Sequence, residues 1–181
     1  MKTAQARSFA VTPPSPHAWW IMAMLLLLPA VAVVAILFGG EKAADPEAAI
    51  GTSVALLVIA VASIGSAIGL KRRRVQLHGQ VLQVVAGLFS HRVPIDSIDL
   101  ERARVVDLDE HTELRPAIKT FGMALPGYSA GHFRLRQKLG KAFCLVTDRR
   151  RVLWLPLRDG KQQLLLSLEH PQALLDALRG R

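Results

Sequence analysis

Two long stretches of the chain carry no charge. Ala18 to Phe38 reads AWWIMAMLLLLPAVAVVAILF, and Ala48 to Leu70 reads AAIGTSVALLVIAVASIGSAIGL. A helix needs about 20 apolar residues to cross a bilayer core, and a charge at mid-membrane costs roughly 2.5–3.5 kcal/mol. Both runs meet that demand and predict transmembrane helices over 18–38 and 48–70. The first is too long for the core of a secretory signal, which spans about 7–15 residues. No small-x-small cleavage site follows it, since the next residues are Gly39, Gly40, Glu41 and Lys42. Trp19 and Trp20 stand where interfacial aromatics anchor a helix, and Pro29 predicts a tolerated kink.

Beyond Arg74 the pattern shortens. Val75–Val85 and Leu88–Ile95 are β-rich runs separated by Ala86-Gly87, and Arg104–Leu108 is a third candidate strand. Residues 109–130 lack periodicity and hold Pro116, Gly122, Pro126 and Gly127, which predicts a loop, unusually long for a small domain. His132-Phe133-Arg134-Leu135-Arg136 alternates strictly and predicts a half-buried strand. Lys141–Thr147, Val152–Leu157 and Gln162–Leu166 read as further strands. Asp159-Gly160 between the last two is a strong hairpin signal. Pro171 suits the first position of a closing helix, with Leu174, Leu175 and Leu178 on one face and Gly180 at its end. The expected order is six or seven antiparallel strands and then one amphipathic helix.

Ala142–Val146, Val152–Leu155 and Leu164–Leu166 are apolar at every position. A sheet with one wet face alternates, so something is expected to cover the second face: the 109–130 loop, the C-terminal helix or a partner.

Charge orients the two helices. The net charge is +9, and Lys2, Arg7 and Lys42 are balanced by Glu41, Asp45 and Glu47 within residues 1–70. The remaining part therefore carries the excess. Lys2 and Arg7 precede the first apolar run, and Lys71, Arg72, Arg73 and Arg74 follow the second. Positive flanks stay inside, so both ends are expected in the cytoplasm. The resulting division is a flexible N-terminus (1–17), helix 18–38, an extracytoplasmic connector (39–47), helix 48–70, a basic stop (71–74) and a globular domain (75–181). The lone Cys144 agrees with a reducing compartment.

The strand order, together with Leu125-Pro126-Gly127-Tyr128, Gly131-His132-Phe133, Thr147-Asp148-Arg149 and the Pro171 helix, resembles a bacterial pleckstrin-homology (PH)-like membrane protein family. The resemblance covers residues 75–179, more closely in the second half. It implies a mainly-β, partly open antiparallel barrel or sandwich closed by a C-terminal helix, behind an α-helical transmembrane hairpin. It implies fold more firmly than function.

Little in the chain reads as chemistry. Gly127-Tyr128-Ser129-Ala130-Gly131 matches the G-x-S-x-G elbow, but that elbow requires a strand turning into a helix, and here a turn precedes and a strand follows. The six histidines (17, 78, 91, 111, 132 and 170) show no ligand-like spacing, and Asp107, Asp109, Glu110 and Glu113 read as a solvated loop. No catalytic site, metal or cofactor is expected. What remains is basic: Lys71, Arg72, Arg73, Arg74, Arg134, Arg136, Lys138 and Lys141, with Arg149–Arg151. These read either as a solvated face with a topology signal or as contacts for anionic lipid or a partner. Nucleic acid is disfavoured by the tether and by the lack of aromatic platforms. Gly65 and Gly69 form a G-x-x-x-G pair suited to close helix packing, within the chain or in a homodimer. The expected function is a non-enzymatic, membrane-anchored module that recruits a protein partner at the inner membrane, or alternatively senses anionic lipid.

Overall fold

Strand β1 (Arg7–Phe9) comes before any helix and pairs antiparallel with β2 (Arg73–His78), placing Arg7 beside Leu77 and Phe9 beside Val75. Between them run α1 (Pro16–Phe38) and α2 (Pro46–Lys71). The rest of the chain forms β3 (Val81–Ala86), β4 (Phe89–Pro94), β5 (Arg104–Val106), β6 (Pro116–Leu125), β7 (Tyr128–Leu135), β8 (Lys141–Val146), β9 (Val152–Pro156), β10 (Gln162–Ser167) and α3 (Pro171–Arg179). This computed structural model describes residues 7–38, 46–136 and 140–180. Most of the expected 39–47 connector, and Lys138, lie outside those residues.

The N-terminal lead is not a flexible arm over residues 7–12. Beyond the β1 ladder, Val11 bridges to Leu168, the Thr12 amide donates to the Ser167 carbonyl at 3.2 Å, and the Glu169 amide donates to the Ala10 carbonyl at 3.1 Å. This segment stitches the four-stranded sheet β1-β2-β3-β4 to the end of β10, an inner strand of the six-stranded sheet β5-β9-β10-β8-β7-β6.

Three further expectations are corrected. Val75–Val85 is a hairpin rather than one strand, because Gly79 takes φ +53° and reverses the chain between β2 and β3. Residues 109–130 are not one long loop: β6 runs ten residues and pairs back on β7 through a turn at Gly127, φ +76°. Its register is broken by two bulges, and Ile118 and Phe121 are exposed, which hides any two-residue period. Nor is the domain wholly antiparallel. Strand β10 inserts between β9, its hairpin partner, and β8, to which it is parallel.

The expected cover of the second face comes from within the chain. One core lies between the two sheets, and α3 buries Leu174, Leu175 and Leu178 in it. A second core forms on the opposite face of the six-stranded sheet from Phe133, Leu135, Ala142, Cys144, Val146, Val152, Trp154 and Leu165. It is capped by Val106, Leu108 and Leu114, which the 104–115 segment folds over it. Arg115 pins that cover by donating to the Leu108 carbonyl and pairing with Asp109, both at 2.6 Å. The doubly apolar strands are thus covered by the chain itself.

The helices carry apolar side chains outward. Trp20 is 72% exposed and Leu57 64%, with Leu27, Leu28, Val58 and Val61 similarly bare. The start of α1 packs on the domain through Trp19, Met22 and Leu26, and the end of α2 does so at Gly69. Counted over the described residues, no helix is long and apolar enough to cross a membrane.

Candidate functional site

At the open side of the sandwich, the edge strand β4 faces β7 and β8 across a cleft of about 250 Å³. Three rings close its inner end. His91 from β4 stacks on Phe143 from β8, with centroids 5.1 Å apart and planes 20° apart. His132 from β7 stands edge-on to both, 5.0 Å from Phe143 and 5.8 Å from His91. Phe121, at the rim, packs edge-on against Phe89 at 4.8 Å.

The strand register sets the cleft's charge. Arg134 of β7 lies opposite Lys141 of β8, and Lys141 lies opposite Gln162 of β10. All three line the cleft, with Thr120, Phe133, Ala142, Leu157 and Gln163, and no carboxylate is among the lining residues. Two cationic side chains and two imidazoles beside apolar residues favour an anionic group. Burial, and secondly the neighbouring His132, push His91 below the ordinary histidine value. It is therefore neutral at pH 7.

That shift makes a prediction. A histidine depressed in the folded state takes up more protons when unfolded, so stability falls as pH falls. The loss begins near pH 6.5, the unfolded value, and is complete below the folded one. Thermal denaturation between pH 7.5 and 5 should show it, and His91→Phe should flatten that segment of the curve. An unchanged slope in the variant would assign the dependence elsewhere.

Of the other basic residues, Lys71, Arg72 and Arg74 are exposed where α2 passes into β2, and Arg136 is exposed just beyond β7. None of them lines the cleft. Arg73 turns inward instead: Nη1 donates to the Thr12 carbonyl at 3.2 Å, and Nε is buried without a hydrogen-bond partner. Gly69 packs α2 on the β domain. A side chain there would meet Met123 Cε at 3.3 Å, one at Gly87 would meet the Gly69 carbonyl oxygen at 3.1 Å, and the Tyr128 hydroxyl donates to that oxygen at 3.3 Å. Around Gly65 the space is open.

Ser129 sits within β7, paired with Ala124 and Val146, so the geometry of a nucleophile elbow is not present. Among the described residues no three His, Cys, Asp or Glu side chains gather as metal ligands. Cys144 is fully buried and its thiol is pushed far up by desolvation, which leaves it inert.

Mainly-β sheets closed by a C-terminal helix fit a PH-like domain, and the family profile described as "Bacterial PH domain" matches residues 74–181. The chain belongs to the bacterial PH domain family. No curated protein and no solved structure matches it. The PH domain as matched begins inside β2, so β1 is an addition from beyond the helical hairpin. PH domains generally serve as binding modules, and here the chemistry on offer is recognition by charge and shape.

Proposed function

We propose that this protein is a non-enzymatic PH module, anchored in a bacterial inner membrane by α1 and α2, that holds an anionic lipid headgroup at the β4–β7–β8 cleft on the cytoplasmic side. The observation that carries this reading is the Arg134–Lys141 pair at a cleft lined by no carboxylate. The cleft also lies toward the helices: Phe121 packs on Phe89, two residues from Gly87, which abuts Gly69 in the last turns of α2.

Anchoring is supported by length and pattern. At 1.5 Å per residue, the 23 residues of α1 and 26 of α2 extend about 34 and 39 Å, against a hydrocarbon core of about 30 Å. Strands on either side of the hairpin share one sheet, which requires the chain to return to the side it left. The basic flanks assign that side to the cytoplasm. The case for a protein partner from strands apolar on both faces falls, since both faces are covered from within.

In nanodiscs of neutral lipid, the full chain should bind added short-chain phosphatidylglycerol, with chemical-shift changes at His91 and His132. Arg134→Gln with Lys141→Gln should weaken that binding roughly 10- to 30-fold, at about 1 kcal/mol per basic group. Undiminished binding in the double variant would remove the cleft from the function. A cytoplasm-dependent reporter should be active after Arg181 and silent within residues 40–48; the reverse would overturn the orientation.

A further inference from the structure

A second basic site lies at the other end of the six-stranded sheet. Strand β5 is its outermost strand there, and Arg104 of β5 pairs in register with Trp154 of β9. The Arg104 guanidinium stands 5.3 Å from the Trp154 ring centroid and that of Arg102 stands 5.7 Å from it. The indole is itself fixed, since Nε1 donates to Gln163 Oε1 at 2.6 Å. Arg179, at the end of α3, donates to the carbonyls of Leu100 and Ala103 at 3.2 and 3.1 Å, which brings a third guanidinium to the same groove. The groove encloses about 510 Å³, and Glu101 is the one carboxylate lining it.

Neither Arg102 nor Arg104 forms an ion pair among the described residues. Two like charges are held on one ring, stabilised by its π face, with guanidinium N–H groups available for oxyanions. An arginine fork matches a carboxylate in two parallel hydrogen bonds, and arginine and tryptophan are among the residue types enriched where binding energy concentrates in protein interfaces.

Position selects the partner. Five strand intervals separate β5 from β6, the strand that lies against α1. At about 4.8 Å each the groove is on the order of 24 Å along the sheet from that side, well over the ~10 Å reach of exposed charges in 0.1 M salt when followed along the strands. Three arginines spread over a loop, a strand and a helix end offer contacts to several oxyanions in a row rather than to one.

We propose that this groove docks an acidic segment of a soluble protein, with Arg102 and Arg104, braced on Trp154, pairing its carboxylates. The groove's lining shares no residue with the cleft's, and the one link is Gln163, which lines the cleft and holds the Trp154 indole, so the two readings are tested by separate substitutions. The probe is fluorescein-labelled hexaglutamate, titrated against the full chain in neutral nanodiscs, with hexaglutamine and inorganic phosphate alongside. Hexaglutamate should bind, hexaglutamine should not, and phosphate should compete poorly. Arg102→Gln with Arg104→Gln should weaken hexaglutamate roughly tenfold or more. Arg102→Lys with Arg104→Lys should weaken it nearly as much, because lysine keeps the charge but loses the fork and the stacking. Circular dichroism of both variants should match the parent. Arg134→Gln with Lys141→Gln should leave hexaglutamate binding unchanged. Full binding by the lysine variant, equal loss in the cleft variant, or displacement by phosphate at the same concentration as by peptide would each overturn the proposal.

Discussion

Placing a valine at Gly131 should destabilise the β domain by about 2–6 kcal/mol. Gly131 faces Gly122 across β6 and β7, at φ +113°. A Cβ there would stand 2.5 Å from the Phe121 carbonyl oxygen and 2.7 Å from the Gly122 Cα. A Cβ at Gly122 would collide with the Ala130 carbonyl oxygen in turn. These contacts are backbone, so no rotamer relieves them. Strain at such a φ costs about 1–3 kcal/mol and overpacking about 1–3 kcal/mol more, against a typical total stability of 5–15 kcal/mol. Gly160 supplies the control. Its φ is +65°, with nothing within 4 Å of a Cβ, so Gly160→Ala should lose only about 1–2 kcal/mol. Thermal unfolding of both variants separates conformational from steric cost. Equal, small losses would show that the two strands separate easily and that the close approach is not essential.

Removing residues 1–12 should have an effect of similar size. The truncated chain loses the β1 ladder, the bonds joining Ala10 and Thr12 to Glu169 and Ser167, and the Thr12 carbonyl, which accepts from both Arg73 and Thr147 Oγ1, the latter at 2.7 Å. At roughly 1 kcal/mol net per hydrogen bond, with Arg73 left partly buried and without its remaining bond, the loss is about 4–6 kcal/mol. Hydrogen exchange should show β2 unprotected on its outer edge. A synthetic peptide of residues 5–14 added in trans should restore protection. Unchanged exchange in the truncated chain would mean that β2 needs no partner there.

The sequence made the strongly patterned elements legible. The two apolar helices, the alternation at His132–Arg136, the Asp159-Gly160 turn and the Leu174–Leu178 face all announced themselves, because each encodes burial over neighbouring residues. What escaped was encoded elsewhere. Three residues of β1 have no period, and their order comes from β2, some 65 positions on. Strand β6 is an edge interrupted by bulges, so its exposed Ile118 and Phe121 broke the pattern that marks a strand. The hairpin signal fixed one neighbour of β10 and said nothing of the other, which is how the parallel pairing with β8 went unseen. The site divides in the same way. Arg134 and Lys141 stood out as charges, but His91 and His132 meet only because an edge strand of one sheet faces the other. Arg102, Arg104 and Arg179 are scattered in sequence and gathered by Trp154 and the end of α3.

The pairing of β1 with β2 also bears on how the protein is made. Arg7–Phe9 leaves the ribosome first, but its partner is complete only after the whole of α2. At about 5–20 residues per second, that wait is roughly 3.5–14 s. During that interval both helices must settle. For a hairpin entering a bilayer, a chain that inserted one helix and not the other would strand β1 on the far side, leaving β2 without its edge and Arg73 without its carbonyl. If α1 and α2 cross a bilayer as proposed, pairing of β1 with β2 would form only in copies whose two crossings had both succeeded.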